Sequence, residues 1–544
     1  MILECPHLPS WTLTGLFFFF LYAEIHFRFP RIPSLYFRKQ PEIIADVPHR
    51  IGPDRALPVL LLVKDADKFP ITLLQVTVDI QCGSQKTNLL TEEMDTQVAD
   101  EYHEWLWFIK IPKEFSGSEV MIDVSVQCEI DGKTIHVNND NYPQLSHAPF
   151  RVFVDYHPLP CRDHWYYGDL HCHSNYTSDQ VEFGASVVTT AEMARSMGLD
   201  FMAVTDHSYD LDDLPDDYLH NDPLVGKWGR LWRSVEQVNT RHADFTVIPG
   251  EELSAGNALD QNVHYLILNN RVFYEGFGDS FEQGFKSRPQ WRIDRVTGLL
   301  QPGALALAAH PENKPPLSQK LLINRGKWTD ADYRVDGLHG VQMWNGNTKH
   351  FRKHGLAKWR ELLLSGSRLT LVAGNDAHGN FNRFRQLTIP FIHMAEHNQE
   401  VFAQAKTVVH ISDGRPGIES IIDAVRNGRV VVTDGPFAEF TLENGGRSAG
   451  IGDTIAGTDA DIDIWAESTP HFGVIDQVVL YIGNLRTRRE SRRVMTGYSH
   501  KDYSVHIRET LTDLPESGYI RLKVISKTKS RAAYCYTNPV YVEN

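Results

Sequence analysis

Cysteine is scarce in this chain: six among 544 residues, widely spaced and never as C-x-x-C. That excludes a disulfide-stapled scaffold and a zinc ribbon. Cys82 and Cys128 both fall on strand-like runs, which leaves one bridge or two buried free thiols, the second favoured. A long apolar run is also missing. Trp11 to Ala23 is apolar over only 13 residues, short of the roughly 20 that cross a bilayer. No Lys or Arg precedes it, and Leu21 stands where a small residue should precede signal cleavage. It reads either as a signal-peptide core or as an upstream extension from a misjudged start; a cytoplasmic protein without a membrane span is the favoured expectation, with export left open. Basic runs are absent too: 54 Lys and Arg face 69 Asp and Glu, a net charge of −15. Nucleic acid and anionic membranes are poor partners for such a chain.

What remains is an ordinary globular composition, 42% hydrophobic and 23% charged, with Gly and Pro scattered. The length calls for roughly two to four domains. After an extension over 1–39, residues 40–157 carry β-branched and aromatic runs such as "LPVLLLVKDAD", "ITLLQVTVDIQC" and "SEVMIDVSVQCEI", the texture of a β-sandwich. Residues 158–432 alternate strand and helix signals. Thr189 with Glu192 forms a capping box, and Gly198 ends that helix. "DFMAVTDH", "FTVIPGEEL", "VHYLIL", "ALALAAH", "GVQMW" and "RLTLVAGNDAH" read as strands. Such alternation predicts a parallel α/β fold, a distorted (β/α) barrel. Residues 433–544 return to β signals and predict a second sandwich.

The 25 histidines are the unusual count, and their placement is informative. "GDLHCHSNYTSD" puts His171 and His173 on one face of a strand, with Cys172 on the other. Metal-capable residues then recur at strand ends: Asp179, His207, Glu252, His264, His310, Asp376 and His378. Any one of them alone reads best as a hydrogen-bonded structural residue, as His242 and His339 do. Together they would be costly to bury unless cations neutralise them.

"DLHCH", "TDH", "GEE", "AAHP" and "GNDAH", in that order, resemble the polymerase and histidinol phosphatase superfamily of metallohydrolases over residues 165 to about 435. The flanking β domains and the closing "AYCYTNPVYV" resemble its carbaryl-hydrolase-like branch. The resemblance implies a distorted seven-stranded (β/α) barrel flanked by N-terminal and C-terminal β-sandwich domains, with a trinuclear site for Zn, Mn or Fe. Its pattern maps the ligands to His171, His173, Asp179, His207, Glu252, His264, His310, Asp376 and His378. Glu252, His207 and Asp376 are the expected catalytic positions. Neighbours on a strand face opposite ways, so Asp206 and Glu251 should turn from the metals, Glu251 as an exposed or salt-bridged carboxylate.

A cluster of imidazoles and carboxylates without a thiolate suits two to three divalent ions and water activation. Phosphoester hydrolysis of a small substrate is the leading expectation. Carbamate, amide or ester hydrolysis comes second and a non-catalytic module third. Lys314, Arg383 and Arg385 lie where cations could meet such a substrate. The acidic stretch 208–222 is either a lid or a solvated loop. Oligomeric state and the role of the β domains are left open.

Overall fold

The computed structural model describes residues 40–177, 183–214, 217–278, 287–385 and 396–544. The extension 1–39 and Asp179 lie outside the described residues.

From residue 40 to 155 two sheets face each other. One holds Glu42–Asp46, Leu57–Lys64 and Tyr102–Ile109; the other is built on Ile71–Cys82, Gln85–Val98 and Ser118–Ile130. Along Ser118–Ile130 every second side chain turns into the core, from Val120 to Cys128, the period of a strand with one wet face. Leu57–Lys64 is buried throughout. Its Leu57, Val59, Leu61 and Val63 enter this core, while Leu60 and Leu62 pack into the large core of the following chain. A continuous apolar run is what such a two-sided strand requires. Each fully buried leucine is worth about 1.5–3 kcal/mol, so this strand joins the N-terminal unit firmly to the next. Cys82 and Cys128 are free thiols, the second buried.

The remaining chain is organised by one sheet of sixteen strands. Trp165–His173, Phe201–His207 and Thr246–Gly256 run parallel. Asn262–Leu268 turns back antiparallel, and Leu305–Ala308 reverses again. Gly340–Asn345 and Thr370–Gly374 follow in parallel. The short strand Ala377–His378 then returns to pair with Trp165–His173. Lys406–His410 lies antiparallel on the other side of Trp165–His173, and through Val430–Thr433 the sheet continues into Ala532–Thr537, Ser517–Lys527 and Val474–Asn484. A separate four-stranded sheet includes Phe437–Asn444, Ala460–Glu467 and Ser504–Leu511.

This corrects the expected distorted seven-stranded (β/α) barrel with independent flanking sandwiches. The chain is mostly β, its central strands are mixed in direction, and the central and C-terminal strands share one sheet. The reason is local. Only the loop 257–261 separates Thr246–Gly256 from Asn262–Leu268, too short for the crossover that a parallel pair needs. Between Leu268 and Leu305 the described residues supply one five-residue helix, Ile293–Thr297.

The capping box at Thr189 is corrected as well. The helix spans Val187–Met197, and Ser186 caps it by accepting from the Thr189 amide. Glu104 of the N-terminal unit accepts hydrogen bonds from the hydroxyls of Ser186 and Thr189, which draws the cap three residues earlier. Gly198, in the left-handed region at φ 90°, ends the helix. Among the described residues no helix is long and apolar enough to cross a membrane.

Candidate metal centre

Parallel register places His207 beside Glu252 and His173 beside His378. Across the antiparallel pair, His264 sits opposite Ser254, two residues past Glu252 and on its face of the sheet. Gly374 lets the last long strand close on the first, since a Cβ there would stand 2.7 Å from His171 Cβ. His310 and Asp376 follow their strands in the positive-φ region, at 25° and 54°. Backbone of that kind in non-glycine residues recurs at functional sites.

Eight of the nine expected ligands are thereby brought together. One carboxylate is at their centre. Glu252 Oε2 stands 3.3 Å from His171 Nε2, 3.5 Å from His173 Nε2 and 3.1 Å from His207 Nδ1. Its Oε1 stands 2.7 Å from His264 Nδ1 and 3.0 Å from His310 Nε2. Asp376 Oδ1 lies 3.3 Å from His171 Nε2 and 3.0 Å from His173 Nε2, and Oδ2 lies 3.5 Å from His310 Nε2. The His378 ring stacks on His173 at 4.0 Å. The ninth, Asp179, lies outside the described residues.

Three sets of ligand atoms fall within one coordination sphere of each other: His173, His207 and His378; His171, Glu252, His310 and Asp376; and His207, Glu252 and His264. Neither ring nitrogen of His207 makes a hydrogen bond, and neither does Glu252 Oε2, although all three are buried. His207 Nδ1 and Glu252 Oε2 approach to 3.1 Å without hydrogen-bond geometry. Buried polar atoms converging on shared space without partners are what a cation satisfies.

The second ring nitrogens support the same fit. His171 Nδ1 donates to Gln342 Oε1 at 2.8 Å, and His378 Nδ1 to the Asp376 carbonyl at 3.2 Å. His173 Nδ1 lies 3.3 Å from Thr177 Oγ1. Each contact leaves Nε2 facing the cluster, the orientation that outer partners impose on metal-binding histidines. Asn345 donates to Asp376 Oδ2 at 3.2 Å.

Electrostatics follow from the packing. Burial pushes the Glu252 carboxyl upward, but the surrounding imidazoles, His264 and His171 first, hold it well below the usual carboxylate range. Asp376 is depressed in the same way, against burial, by His171. His173 loses to burial but gains more from Asp376 and Glu252, and is raised to about 10. Burial pushes His264 and His378 well down.

Asp206 and Glu251 point away. Asp206 accepts from the Ser174 amide and hydroxyl at 2.7 Å each and from the Thr177 amide at 3.0 Å, fixing the loop after the first ligand strand. Glu251, expected exposed or salt-bridged, is fully buried; burial pushes its carboxyl well up, and it accepts from the Tyr274 amide at 3.3 Å. His242 pairs with Glu192, and His339 Nδ1 accepts from the Ala306 amide, both outside the cluster.

The cluster opens into a cavity of about 300 Å³ lined by His207, His264, His310, Lys314, Arg325 and Trp328, among others. Lys314 stands at its wall as expected. Arg383 and Arg385 do not line it. Arg383 donates to Ser146 Oγ and the Ala148 carbonyl, and Arg385 to the carbonyls of Ala45 and Gly379, so both cations are spent on the N-terminal unit. The sequence reading missed Arg325, whose Nη1 is 2.5 Å from His264 Nε2. It also missed Gln342, signalled by a lone amide inside the apolar strand "GVQMW". The acidic stretch is not a solvated loop in its described first half, where Asp210, Asp212 and Asp213 are buried.

No family model and no curated protein matches the chain. Solved structures that match include a glycosyl hydrolase family 2 member from Bacteroides cellulosilyticus DSM 14838, at 10% identity over 92% of this chain and 63% of that one, TM-score 0.17. A putative beta-galactosidase from Bacteroides fragilis matches at 9% identity over 92% and 74%, TM-score 0.20. Parabacteroides merdae beta-glucuronidase matches at 8% over 93% and 64%, TM-score 0.17. The chain spans about two thirds of the length of these proteins. At such TM-scores the likeness carries no argument about the site. The resemblance to the polymerase and histidinol phosphatase superfamily is nevertheless corrected. No family model carries it, and the mixed sheet is not that barrel. The phosphoesterase, carbamate, amide or ester hydrolase and non-catalytic readings came with that resemblance and are given up with it.

Proposed function

We propose that the buried cluster binds two to three divalent cations and that the protein is a metal-dependent hydrolase of a small molecule. The observation that carries this reading is the Glu252 carboxylate with five imidazole nitrogens within 3.5 Å of its two oxygens. When bound, divalent ions supply the Lewis acidity that acidifies water and stabilises developing negative charge. His171, His173, His264, His310 and His378 would hold them together with His207, Glu252 and Asp376. Glu252, which belongs to two of the ligand sets, would fix the spacing between ions. Gln342 and the Asp376 carbonyl keep ring protons on the far side of His171 and His378, so that their lone pairs stay directed inward. The burial of the cluster keeps bulk water out everywhere except along the cavity wall bearing Lys314, Arg325 and Trp328.

A glycosidase-type carboxyl pair is not formed by these residues. It needs one carboxyl with a raised pKa to act as acid, whereas Glu252 and Asp376 are both depressed. The test is elemental analysis of protein produced with supplemented Zn, Mn or Fe, paired with a chromogenic panel of esters, amides, phosphates and glycosides. The reading expects at least two equivalents of metal and turnover that chelation abolishes and metal restores. Less than one equivalent, or turnover indifferent to chelation, overturns it.

A further inference from the structure

Two of the cluster's ligands, Asp376 and His378, stand immediately before the loop 379–385. That loop is held largely by the N-terminal unit; from the central chain the Phe402 amide donates to the Asn380 carbonyl at 2.8 Å, and the Phe384 amide donates to the His397 carbonyl at 3.0 Å. Asp46 is fully buried, and its Oδ2 accepts from the Phe381 amide at 2.9 Å while pairing with Arg385 Nη2 at 3.0 Å. The same guanidinium donates to the Gly379 carbonyl at 3.0 Å, one residue past His378, and to the Ala45 carbonyl at 3.1 Å. The His49 amide donates to the Phe381 carbonyl at 3.0 Å. Asn382 donates to the Arg151 carbonyl, and Arg383 to Ser146 and Ala148. Gly379 adopts φ 59°, with space for no side chain, because a Cβ would stand 2.8 Å from the Ala185 amide nitrogen. The turn after His378 is therefore fixed in large part by the N-terminal unit, through Asp46, Arg385 and the His49 amide.

We propose that the N-terminal β unit is a clamp on the metal centre, with Asp46 and Arg385 as positioning residues for Asp376 and His378. This rests on the proposed function, because it assumes that those two side chains meet cations. The geometry gives the clamp one buried carboxylate that serves two masters at once, the loop's backbone at Phe381 and the cation that grips Gly379. Neither residue touches the cavity, so neither is a ligand or a substrate contact. Partners at this remove from a metal typically change its affinity 10- to 100-fold when removed.

A general loss of packing between the two units would weaken binding without any clamp, and a second buried ion pair controls for that. Arg50 pairs with Asp155 at 2.9 Å and donates to the Met197 carbonyl, joining the N-terminal unit to the helix Val187–Met197 without touching 379–385. The experiment titrates the full chain with Mn(II), following free Mn(II) by EPR, in wild type, Asp46→Asn, Arg385→Met, the Asp46→Asn/Arg385→Met double variant and Arg50→Met. Heat unfolding of each apo protein reports global stability. The clamp expects Mn(II) affinity to fall about 10- to 100-fold in the Asp46 and Arg385 variants, with an altered bound-Mn(II) spectrum. The double variant should lose no more than the worse single one. Arg50→Met should keep wild-type affinity despite a lowered melting temperature. Equal affinity losses in Arg50→Met and Asp46→Asn overturn the clamp, as does wild-type affinity in both Asp46→Asn and Arg385→Met. Wild-type protein that binds no Mn(II) overturns the proposed function and the clamp with it.

Discussion

Replacing Glu252 by Gln keeps the shape of the side chain and removes its charge. The consequence can be worked from the contacts. Five imidazole nitrogens lie 2.7–3.5 Å from the two carboxylate oxygens, and the residue is 0% exposed. Removing one partner of a fully buried charged set typically costs about 3–5 kcal/mol, which is a factor of roughly 10² to 10⁴ in an equilibrium constant. The expected result is a loss of cation affinity of that size, with turnover falling in step. Glu251→Gln is the internal comparison. That carboxyl is equally buried, but burial pushes it well up, and it faces the Tyr274 amide at 3.3 Å rather than the imidazole cluster. Gln there keeps an acceptor for that amide, so the exchange should change stability by about 1 kcal/mol and leave metal content unchanged. Calorimetric titration of Zn(II) or Mn(II) into both variants, with urea unfolding of each, gives all the numbers needed. Should Glu251→Gln strip the metal while Glu252→Gln retains it, the assignment of the shared carboxylate is wrong.

His171→Ala and Asp376→Ala should each lose most bound metal by elemental analysis while the far-ultraviolet CD of the β units is kept, since neither side chain belongs to an apolar core. Lys406 is buried, and burial lowers its ammonium to about 7. Between that value and the ordinary lysine pKa the unfolded chain binds the extra proton, so wild-type stability should rise with pH by up to about 1.4 kcal/mol per unit. Lys406→Met removes that dependence, and parallel urea midpoints for the two proteins at pH 7.5 and 9.5 would refute the burial argument. Arg521 meets Glu490 through two hydrogen bonds of 2.9 Å, with both side chains about 5% exposed or less. Arg521→Ala should therefore destabilise the chain by about 3–5 kcal/mol in urea unfolding.

Much of the site was legible because its residues obey strand periodicity. The i, i+2 pair His171 and His173 shares a face, and His207 and Glu252 meet because their strands are parallel and in register. Periodicity says nothing about strand direction, and there the reading went astray. A run of apolar residues looks the same forwards and backwards. Strand and helix alternation alone makes Asn262–Leu268 one more parallel strand, whereas the short loop 257–261 before it demands a reversal. Arg383 and Arg385 failed for a related reason. Their position five and seven residues past the last ligand, His378, placed them near the site, but no local signal shows which unit a loop's cations face.

The reversed strand also shows why the cluster survives an error in direction. Ligands were sought at carboxyl ends, where parallel strands converge, yet His264 is the third residue of its strand. Because that strand runs antiparallel, its beginning lies at the same edge of the sheet as the end of Thr246–Gly256, and Ser254 pairs with His264 there. Side-chain alternation is independent of direction, so a residue opposite Ser254 shares the face of Glu252 whichever way the chain travels. The ligand set is therefore a property of sheet edge and face, not of strand polarity. That is why residues chosen on the expectation of a parallel barrel still meet in a sheet of mixed direction.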